Sequence, residues 1–553
     1  MLLLLALLLP IPPQTPKADL LLENGIVYVS PEAAPRKASI VVADAKILFV
    51  GDAARARKLG KSARIVDLRG AFVFPGWADA HLHLQGVGKD REITNLRGAA
   101  SAAEAARRMA SSAASLPTGR WIEGRGWDQN LWPGREFPDA TTLDALLPDR
   151  PAVARRVDGH AIWLNHAALK AAGIDGTTRD PDGGRILRGP DGSPSGVLVD
   201  NAMNLVQAAI PAPSAADVER QLLAGAKACA AVGLTEIQDA SGYDAEHVAV
   251  LERLAEKQAL PIRVYATVSP EPDALALFFA KGIRIRGGTD FLTVRGIKAY
   301  ADGALGSRGA ALLADYSDEP GRRGLLVTSP ERLAEIATAA RKNGWQLWIH
   351  AIGDRGNRVA LDAFEQAAQS IPAPPPGSDR PRIEHAQVIS PEDFPRFARA
   401  GVIASVQPTH ATSDMGWAGE RLGPSRIAGA YAWRRLKNSG ARLAGGSDAP
   451  VESENPLAGF YAAVTRKDPS GRPPEGWRPG ERLSRREALA LFTSDAAFAA
   501  FEEKSRGRIA PGYNADLTIF SRDPMIVDEA EIPAIPVFMT VVAGAIAYGP
   551  ASP

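Results

Sequence analysis

The chain has 553 residues, 45% of them hydrophobic, which is enough to bury a large core and predicts a large domain with accessory parts. Its 64 lysine and arginine residues balance 63 aspartate and glutamate residues, and this net charge of +1 argues against nucleic acid or an anionic membrane surface as a partner. The single cysteine, Cys229, excludes both disulfides within the chain and thiolate metal clusters.

The chain begins with an apolar leader. Met1 is followed by a leucine-rich run, 2–9, and then by a proline-rich stretch, 10–13. The run is too short to span a bilayer and resembles the hydrophobic part of a secretory signal, although no Lys or Arg precedes it and no small-x-small cleavage motif follows. We therefore expect residues 1–17 to be a signal segment and the protein to be exported, for example to a periplasm; a cytoplasmic location stays open.

The two ends of the remaining chain are rich in short strand patterns separated by turn signals. One such region covers residues 18–74 and the other covers residues 505–553. Each region is too small to hold a core of its own. We expect the two to pair into one composite β-sandwich beside the central domain.

Between these ends, in residues 75–504, apolar strand patterns alternate with alanine-rich helical patterns. This alternation predicts a parallel sheet covered by helices, and eight such units predict an α/β fold, a TIM-like (β/α)₈ barrel. The predicted strands are the histidine-bearing run 74–83 and 233–238, 262–268, 292–300, 346–351, 382–385, 403–406 and 442–444. The predicted helical partners include 215–231, 245–258, 330–342 and 362–370.

The stretch between the first and second predicted strands, 84–232, is too long for a simple connection. We expect an inserted cap subdomain, at about 86–215, that overhangs the barrel mouth and shapes the binding site. The insertion carries Trp121, Trp127, Trp132 and Trp163. These tryptophans predict either an apolar or aryl group on the substrate or simply the core of the insertion itself.

Two histidines close the first barrel strand. His81 and His83 are one residue apart, so both side chains point to the same face of a strand, and converging imidazoles make a good half-site for a divalent metal. Further polar residues lie at the ends of other predicted strands, where a barrel gathers its active site: Lys298, His350, His385 and Asp448. Since the chain has only 8 histidines, this joint placement indicates a metal centre, although each residue alone has a structural explanation.

Lys298 lies inside an apolar strand, where an ammonium must be paired, deprotonated or modified. A neutral amine can react with carbon dioxide to give a carbamate, whose two oxygens can bridge two metals. An ion pair with Asp302 or Asp448 is the plainer alternative. Asp448, which follows Gly446 and Ser447, has its own alternative role as a cap of the next helix.

The motifs resemble the amidohydrolase superfamily, specifically the amidohydrolase-3 (YtcJ-like) metal-dependent hydrolases, which include N-substituted formamide deformylase. The resemblance covers nearly the whole chain after the leader and is carried by 81–83, 158–165, 298–308, 350–354, 384–386, 407–410, 446–448 and 512–517. It implies the same barrel, sandwich and cap, and a site for two divalent metal ions, with zinc favoured by ligand preference. It further implies the more buried ion on His81, His83 and Asp448, the second on His350 and His385, and a bridging carboxylated Lys298.

Motif matching also marks three residues as contacts of a small-molecule substrate or its oxyanion: His160, Arg308 and His410. Arg308 has an alternative role as an ion-paired loop residue, and His160 as a residue that only orients the insertion. The assembly is left open, with a homodimer as one option.

The expected reaction is hydrolysis of a carbon–nitrogen bond other than a peptide bond, for example in an N-acyl or N-formyl compound. Two ions can share a hydroxide that attacks the carbonyl carbon, and Asp448 would carry its proton to the leaving nitrogen. Rival hypotheses are an ester or lactone hydrolase, a mononuclear-metal deaminase and a non-catalytic binding protein. The deaminase needs a glutamate shortly after the fifth-strand histidine, where this chain has Ala-Ile-Gly-Asp at 351–354, and binding proteins usually lose ligands that are all retained here.

Overall fold

The computed structural model describes residues 18–114, 119–286, 291–374 and 380–549. The expected signal segment, residues 1–17, lies outside the described residues. Among the helices that are described, none combines the length and the apolar character needed to cross a membrane.

The first described segment folds into five strands and one short helix that precede the barrel. The helix begins after Asp52, whose side chain accepts a hydrogen bond from the Arg55 amide and so satisfies one of the free donors of the first turn. The elements are β1 (Leu20–Val27), β2 (Arg36–Ala43), β3 (Lys46–Gly51), α1 (Ala53–Leu59), β4 (Arg64–Asp67) and β5 (Phe72–Pro75).

The next segment contains the first barrel strand and then the insertion. Its elements are β6 (Trp77–Leu82), α2 (Leu84–Lys89), β7 (Thr94–Asn95), α3 (Ala102–Ala113), β8 (Ile122–Trp127), α4 (Ala140–Asp144), β9 (Ala152–Arg156), β10 (Ala161–Leu164), α5 (His166–Ala171), β11 (Gly184–Arg188), β12 (Pro194–Asp200) and α6 (Asn204–Gln207). Strands β7 to β12 form a sheet of their own in the order β11-β12-β10-β9-β8-β7. Trp127, Trp132 and Trp163 pack in one core cluster of the insertion and Trp121 in another, so they fill the cap rather than face a substrate.

The rest of the barrel alternates strands and helices. Its elements are α7 (Ala215–Ala231), β13 (Leu234–Tyr243), α8 (Ala245–Glu256), β14 (Arg263–Val268), α9 (Pro272–Lys281), β15 (Arg284–Arg286), β16 (Leu292–Tyr300), α10 (Pro330–Asn343), β17 (Gln346–Ala351), α11 (Asp354–Ser370), β18 (Arg382–His385), α12 (Phe394–Arg399), β19 (Ile403–Val406), α13 (Pro408–Asp414), α14 (Ala418–Arg426), α15 (Trp433–Asn438), β20 (Arg442–Gly445), α16 (Pro456–Thr465), α17 (Arg485–Leu491) and α18 (Ser494–Ala499).

Eight parallel strands form the barrel in the order β6-β13-β14-β16-β17-β18-β19-β20, with the short β15 antiparallel to β16. The predicted α/β barrel is therefore confirmed. Its two end strands meet where the Asp448 amide donates to the His81 carbonyl at 2.6 Å. A Cβ at position 446 would lie 2.5 Å from the His81 nitrogen, so this close approach of the two strands requires a glycine.

Several boundaries differ from the prediction, among them the end of the first barrel strand and the start of helix α11. The first barrel strand ends at Leu82, and His83 is the residue that precedes helix α2. Helix α11 begins at Asp354 instead of residue 362. Its first turns contain Gly356 and Asn357, which are weak helix formers and hid the start of the helix from a propensity argument.

The end of the chain returns to the first sheet. It contributes β21 (Leu517–Phe520), β22 (Val537–Val542) and β23 (Ala545–Tyr548). The strand order is β23-β22-β21-β5-β1-β2-β3, with β4 beside β1, and β21 runs antiparallel to β5. The composite β-sandwich was expected to be built from both chain ends, and both ends do contribute strands here; these strands are joined into a single hydrogen-bonded sheet, the composite β layer.

A buried ion pair connects this layer to the barrel. Arg263 of β14 donates to Asp516 through Nε at 2.7 Å and Nη2 at 3.0 Å, and both side chains are almost fully buried. Asp516→Ala leaves the guanidinium buried without this partner, so we expect the free energy of unfolding to fall by about 3–5 kcal/mol. Chemical denaturation measures this. Glu531→Ala, which breaks an exposed pair with Arg522, is the control and should cost no more than about 1 kcal/mol; equal losses would contradict the prediction.

Candidate metal centre

The carboxyl edge of the barrel gathers the residues that the sequence marks for a metal. His81 lies in β6, Lys298 in β16 and His350 in β17, while His385 ends β18 and Asp448 follows β20. The ring centroids of His81 and His385 are 4.9 Å apart, and those of His350 and His385 are 4.5 Å apart. The strand order therefore brings residues that are hundreds of positions apart in the chain into one cluster.

One group of potential ligands consists of His81, His83 and Asp448, whose ligand atoms lie within 4.8 Å of one another. Asp448 Oδ1 is 3.1 Å from His83 Nε2 and 3.4 Å from His81 Nε2. Both His81 Nε2 and Asp448 Oδ1 are buried and have no hydrogen-bond partner. Buried polar atoms are normally satisfied, so a convergent pair of unpartnered acceptor atoms fits the binding of a cation.

A second group consists of His385, His410 and Asp448, again within 4.8 Å. His410 Nε2 lies 3.7 Å from Asp448 Oδ2 and has no hydrogen-bond partner. His410, expected only as a substrate contact, is thus placed beside the same carboxylate. His350 belongs to neither group, and its Nε2 lies 3.5 Å from the Gly303 carbonyl oxygen.

Several supporting residues around the ligands were not found from the sequence. His81 Nδ1 hydrogen-bonds to Glu384, and Arg382 donates from Nε to the same carboxylate at 2.8 Å. His385 Nδ1 donates to Gln407 Oε1 at 2.8 Å. These bonds occupy Nδ1 of each ring and leave Nε2 for a ligand, as partners of metal-binding histidines do. The sequence held one signal of these contacts. The buried four-residue strand β18 contains both an arginine and a glutamate, and a buried charge needs a partner.

Removing the carboxylate behind His81 is expected to weaken metal binding. Glu384→Gln should lower metal affinity by about 10–100-fold, because such outer partners fix the orientation and basicity of the ligand. Equilibrium dialysis followed by metal analysis measures the change. Glu236→Gln is a matched control, since Glu236 is also a buried glutamate paired with an arginine, Arg506, but lies near the other end of its strand. An unchanged affinity in Glu384→Gln would contradict the prediction.

Burial sets the charge state of the later ligands. It lowers the pKa of His350 and His385 well below the usual value, so both imidazoles are neutral near pH 7, which is the form that binds a metal. Although burial opposes it, the imidazoles of His81 and His83 beside the carboxylate hold the pKa of Asp448 well below its ordinary range. His350 and His385 therefore present lone pairs from neutral rings, beside the ionised carboxylate of Asp448.

Lys298 is buried, and burial lowers its pKa to about 8. Its Nζ lies 5.0 Å from the Tyr300 ring centroid, and within the part of the chain that the structure describes no carboxylate makes an ion pair with it. The alternative of an ion pair with Asp302 fails, because the Asp302 carboxylate instead accepts hydrogen bonds from the backbone amides of Ala311, Ile352 and Gly353. The alternative of a pair with Asp448 fails as well, since Asp448 lies against His81 and His83.

The two remaining substrate candidates lie in different surroundings. His160 belongs to the cap, and its ring centroid is 5.0 Å from that of His350, so the cap reaches the cluster. Arg308 forms ion pairs with Asp318 at 3.0 Å and Glu319 at 3.2 Å. Among the described residues, no hydrogen bond or ion pair joins Arg308 to the histidines, so its expected substrate role stays a prediction.

A parallel barrel with histidines and a carboxylate converging at its carboxyl edge defines the class of metal-dependent barrel hydrolases. Residues 64–548 match the sequence model of a protein family described as "Amidohydrolase family". The chain therefore belongs to the amidohydrolase family, a family of metal-dependent hydrolases, and the predicted resemblance is confirmed.

Three individual proteins are similar to this chain over most of its length. YtcJ of Bacillus subtilis (strain 168) is 35% identical over 531 residues, which cover 95% of this chain and 98% of YtcJ. N-substituted formamide deformylase of Arthrobacter pascens is 26% identical over 557 residues, covering 97% of this chain and 99% of that protein. The crystal structure of an uncharacterized metal-dependent hydrolase from Pyrococcus horikoshii OT3 superposes with a TM-score of 0.75 at 29% identity, over 93% of this chain and 99% of that chain.

Proposed function

We propose that this protein hydrolyses the C–N bond of an amide in a small molecule, an N-acyl or N-formyl compound, with two divalent metal ions. The observation that carries the proposal is the pair of buried, unpartnered atoms His81 Nε2 and Asp448 Oδ1, which face each other and His83 at the barrel mouth. The similarity to an N-substituted formamide deformylase, at 26% identity, supports the amide as the bond.

The chain offers enough ligands for two ions. His81, His83 and Asp448 would hold one ion, and His350 and His385 with a carbamate on Lys298 would hold the other. Imidazole and carboxylate ligands favour Zn²⁺. Such ions act as Lewis acids on a carbonyl and lower the pKa of water toward neutrality. The carbamate is supported by the deep burial of Lys298 without a pairing carboxylate among the described residues, since a buried ammonium in that setting is costly.

Asp448 is the proposed proton carrier. Its two carboxylate oxygens face different histidines, Oδ1 toward His83 and Oδ2 toward His410. One oxygen can therefore receive the proton of the attacking water while the residue remains fixed, and return it to the leaving nitrogen, which departs poorly unless it is protonated. His160, Arg308 and His410 are the proposed substrate contacts around this path.

Metal removal tests the proposal. Dialysis against a chelator is expected to lower the rate of hydrolysis of N-formyl and N-acyl amines by at least about 10³-fold, the effect of losing several kcal/mol of Lewis-acid stabilisation, and Zn²⁺ should restore it. Metal analysis of the active protein is expected to give about two ions per chain. The same panel includes matched esters and lactones, and faster turnover of these would overturn the proposal. Two other results would also overturn it: about one ion per chain with release of ammonia from amidines, or activity that survives chelation.

A further inference from the structure

Asp200 is a cap residue that lies beside both His160 and the barrel. Asp200 is the last residue of β12, and its backbone amide donates to the His160 carbonyl at 3.0 Å. The side chains are joined as well, since His160 Nδ1 lies 2.8 Å from Asp200 Oδ1. Asp200 thus holds His160 through both its backbone and its side chain.

The barrel in turn fixes Asp200. The loop after β16 passes so close that a Cβ at Gly303 would lie 2.5 Å from both carboxylate oxygens, and a Cβ at Gly309 would lie 2.2 Å from Oδ2. Asp200 itself has φ +50, a conformation that residues with a side chain rarely adopt. The carboxylate is buried, and its Oδ2 has no hydrogen-bond partner. Two glycines of the barrel therefore form a cradle for one carboxylate of the cap.

This arrangement selects one nitrogen of the His160 ring. Because Nδ1 is engaged by Asp200, Nε2 is the nitrogen left for another partner. No other residue within the described ranges hydrogen-bonds to His160 Nε2, and the ring lies beside His350 in the centre. A histidine held in this way by a carboxylate is oriented as in sites where the free nitrogen meets the substrate.

We infer that Asp200 is a positioning residue, which aims Nε2 of His160 at the scissile amide so that the cap completes the reaction site. This inference rests on the proposed amide hydrolysis. In this arrangement His160 Nε2 hydrogen-bonds to the amide group of the substrate. The two glycines that contact the Asp200 carboxylate hold the cap in position over the barrel. If Asp200 only held the cap in place, its loss would affect stability and leave the two residues independent in catalysis.

A double-mutant cycle on the metal-loaded enzyme tests the coupling. Asp200→Ala and His160→Ala are each expected to lower kcat/KM by about 10²-fold, the effect of about 1 Å of misplacement at a reacting group. The double variant should lose little more than either single variant. Asp144→Ala is the matched control, because Asp144 pairs with His166 in an exposed copy of the same arrangement in the cap, and its kcat/KM should match the unsubstituted enzyme. Additive losses in the cycle, or an equal loss in the control, would overturn the inference.

A second readout does not depend on activity. In NMR spectra of the holoenzyme labelled with ¹⁵N-histidine, with the His160 signals identified from His160→Gln, Asp200→Ala is expected to shift the His160 Nδ1 resonance and leave that of His166 in place. Unchanged His160 signals would overturn the inference even if the enzyme hydrolyses amides. Failure of the unsubstituted enzyme to hydrolyse any amide, with the shift observed, would instead overturn the proposed function and leave the positioning of His160 by Asp200 in place.

Discussion

Replacement of Asp448 by asparagine is expected to lower kcat by about 10²–10⁴-fold, the usual contribution of a general acid–base group. Asparagine has nearly the same shape and keeps one carbonyl oxygen toward the His83 side, where Oδ1 now lies 3.1 Å from Nε2. It cannot accept and return a proton. Since the proton is needed for departure of the nitrogen and not for binding, KM should change much less than kcat.

The measurement must separate proton transfer from metal loss, because Asp448 is also a proposed ligand. Metal content is therefore determined for each variant, and zinc is added until the content equals that of the unsubstituted enzyme. Asp523→Asn is the control: this buried carboxylate accepts a hydrogen bond from Tyr28 in the composite β layer, at 2.7 Å, and lies outside the histidine cluster. Retention of kcat in a metal-replete Asp448→Asn variant would remove the residue from the proton path.

The barrel could be predicted because its signal is local. Most positions of the parallel strands are buried, so a strand appears as a short, mostly apolar run, as in 346–351, which is an observed strand with the same bounds. Polar residues at the carboxyl ends of such runs are costly to bury, so their presence there indicates a function. For this reason His350 and His385 stood out from the sequence alone.

The supporting contacts of the site could not be predicted because they join distant parts of the chain. His81 and Glu384 are 303 residues apart, and only the strand order places them side by side. The pairing of His160 with Asp200 depends on the fold of the cap, whose sheet begins with a two-residue strand. Periodicity identifies the elements and their faces, but it carries no information about which loop of the cap meets which loop of the barrel.

Lys298 provides the other large expected effect. The proposed carbamate predicts that Lys298→Met lowers kcat by about 10²–10³-fold, consistent with the loss of several kcal/mol of metal-assisted stabilisation, and reduces the metal content from about two ions to about one. The side chain is only 1% exposed, so the variant buries an apolar group where the lysine now lies. Lys342→Met, on the outer surface of α10, is the control and should retain both ions.

The order of two further variants distinguishes a carbamate from an ammonium at this position. A carbamate is an anion with two oxygen ligands, so Lys298→Glu, which restores a carboxylate, should retain more metal and more activity than Lys298→Arg. An ammonium is a cation, and arginine would then be the milder change. Because the described residues provide no carboxylate that pairs with Lys298, a cation has little to stabilise it there, whereas an anion beside the buried imidazoles gains from any divalent ion they hold. We therefore expect glutamate to be the better substitute, and the reverse order, measured as ions per chain and kcat in the presence of excess zinc, would show that the lysine is unmodified.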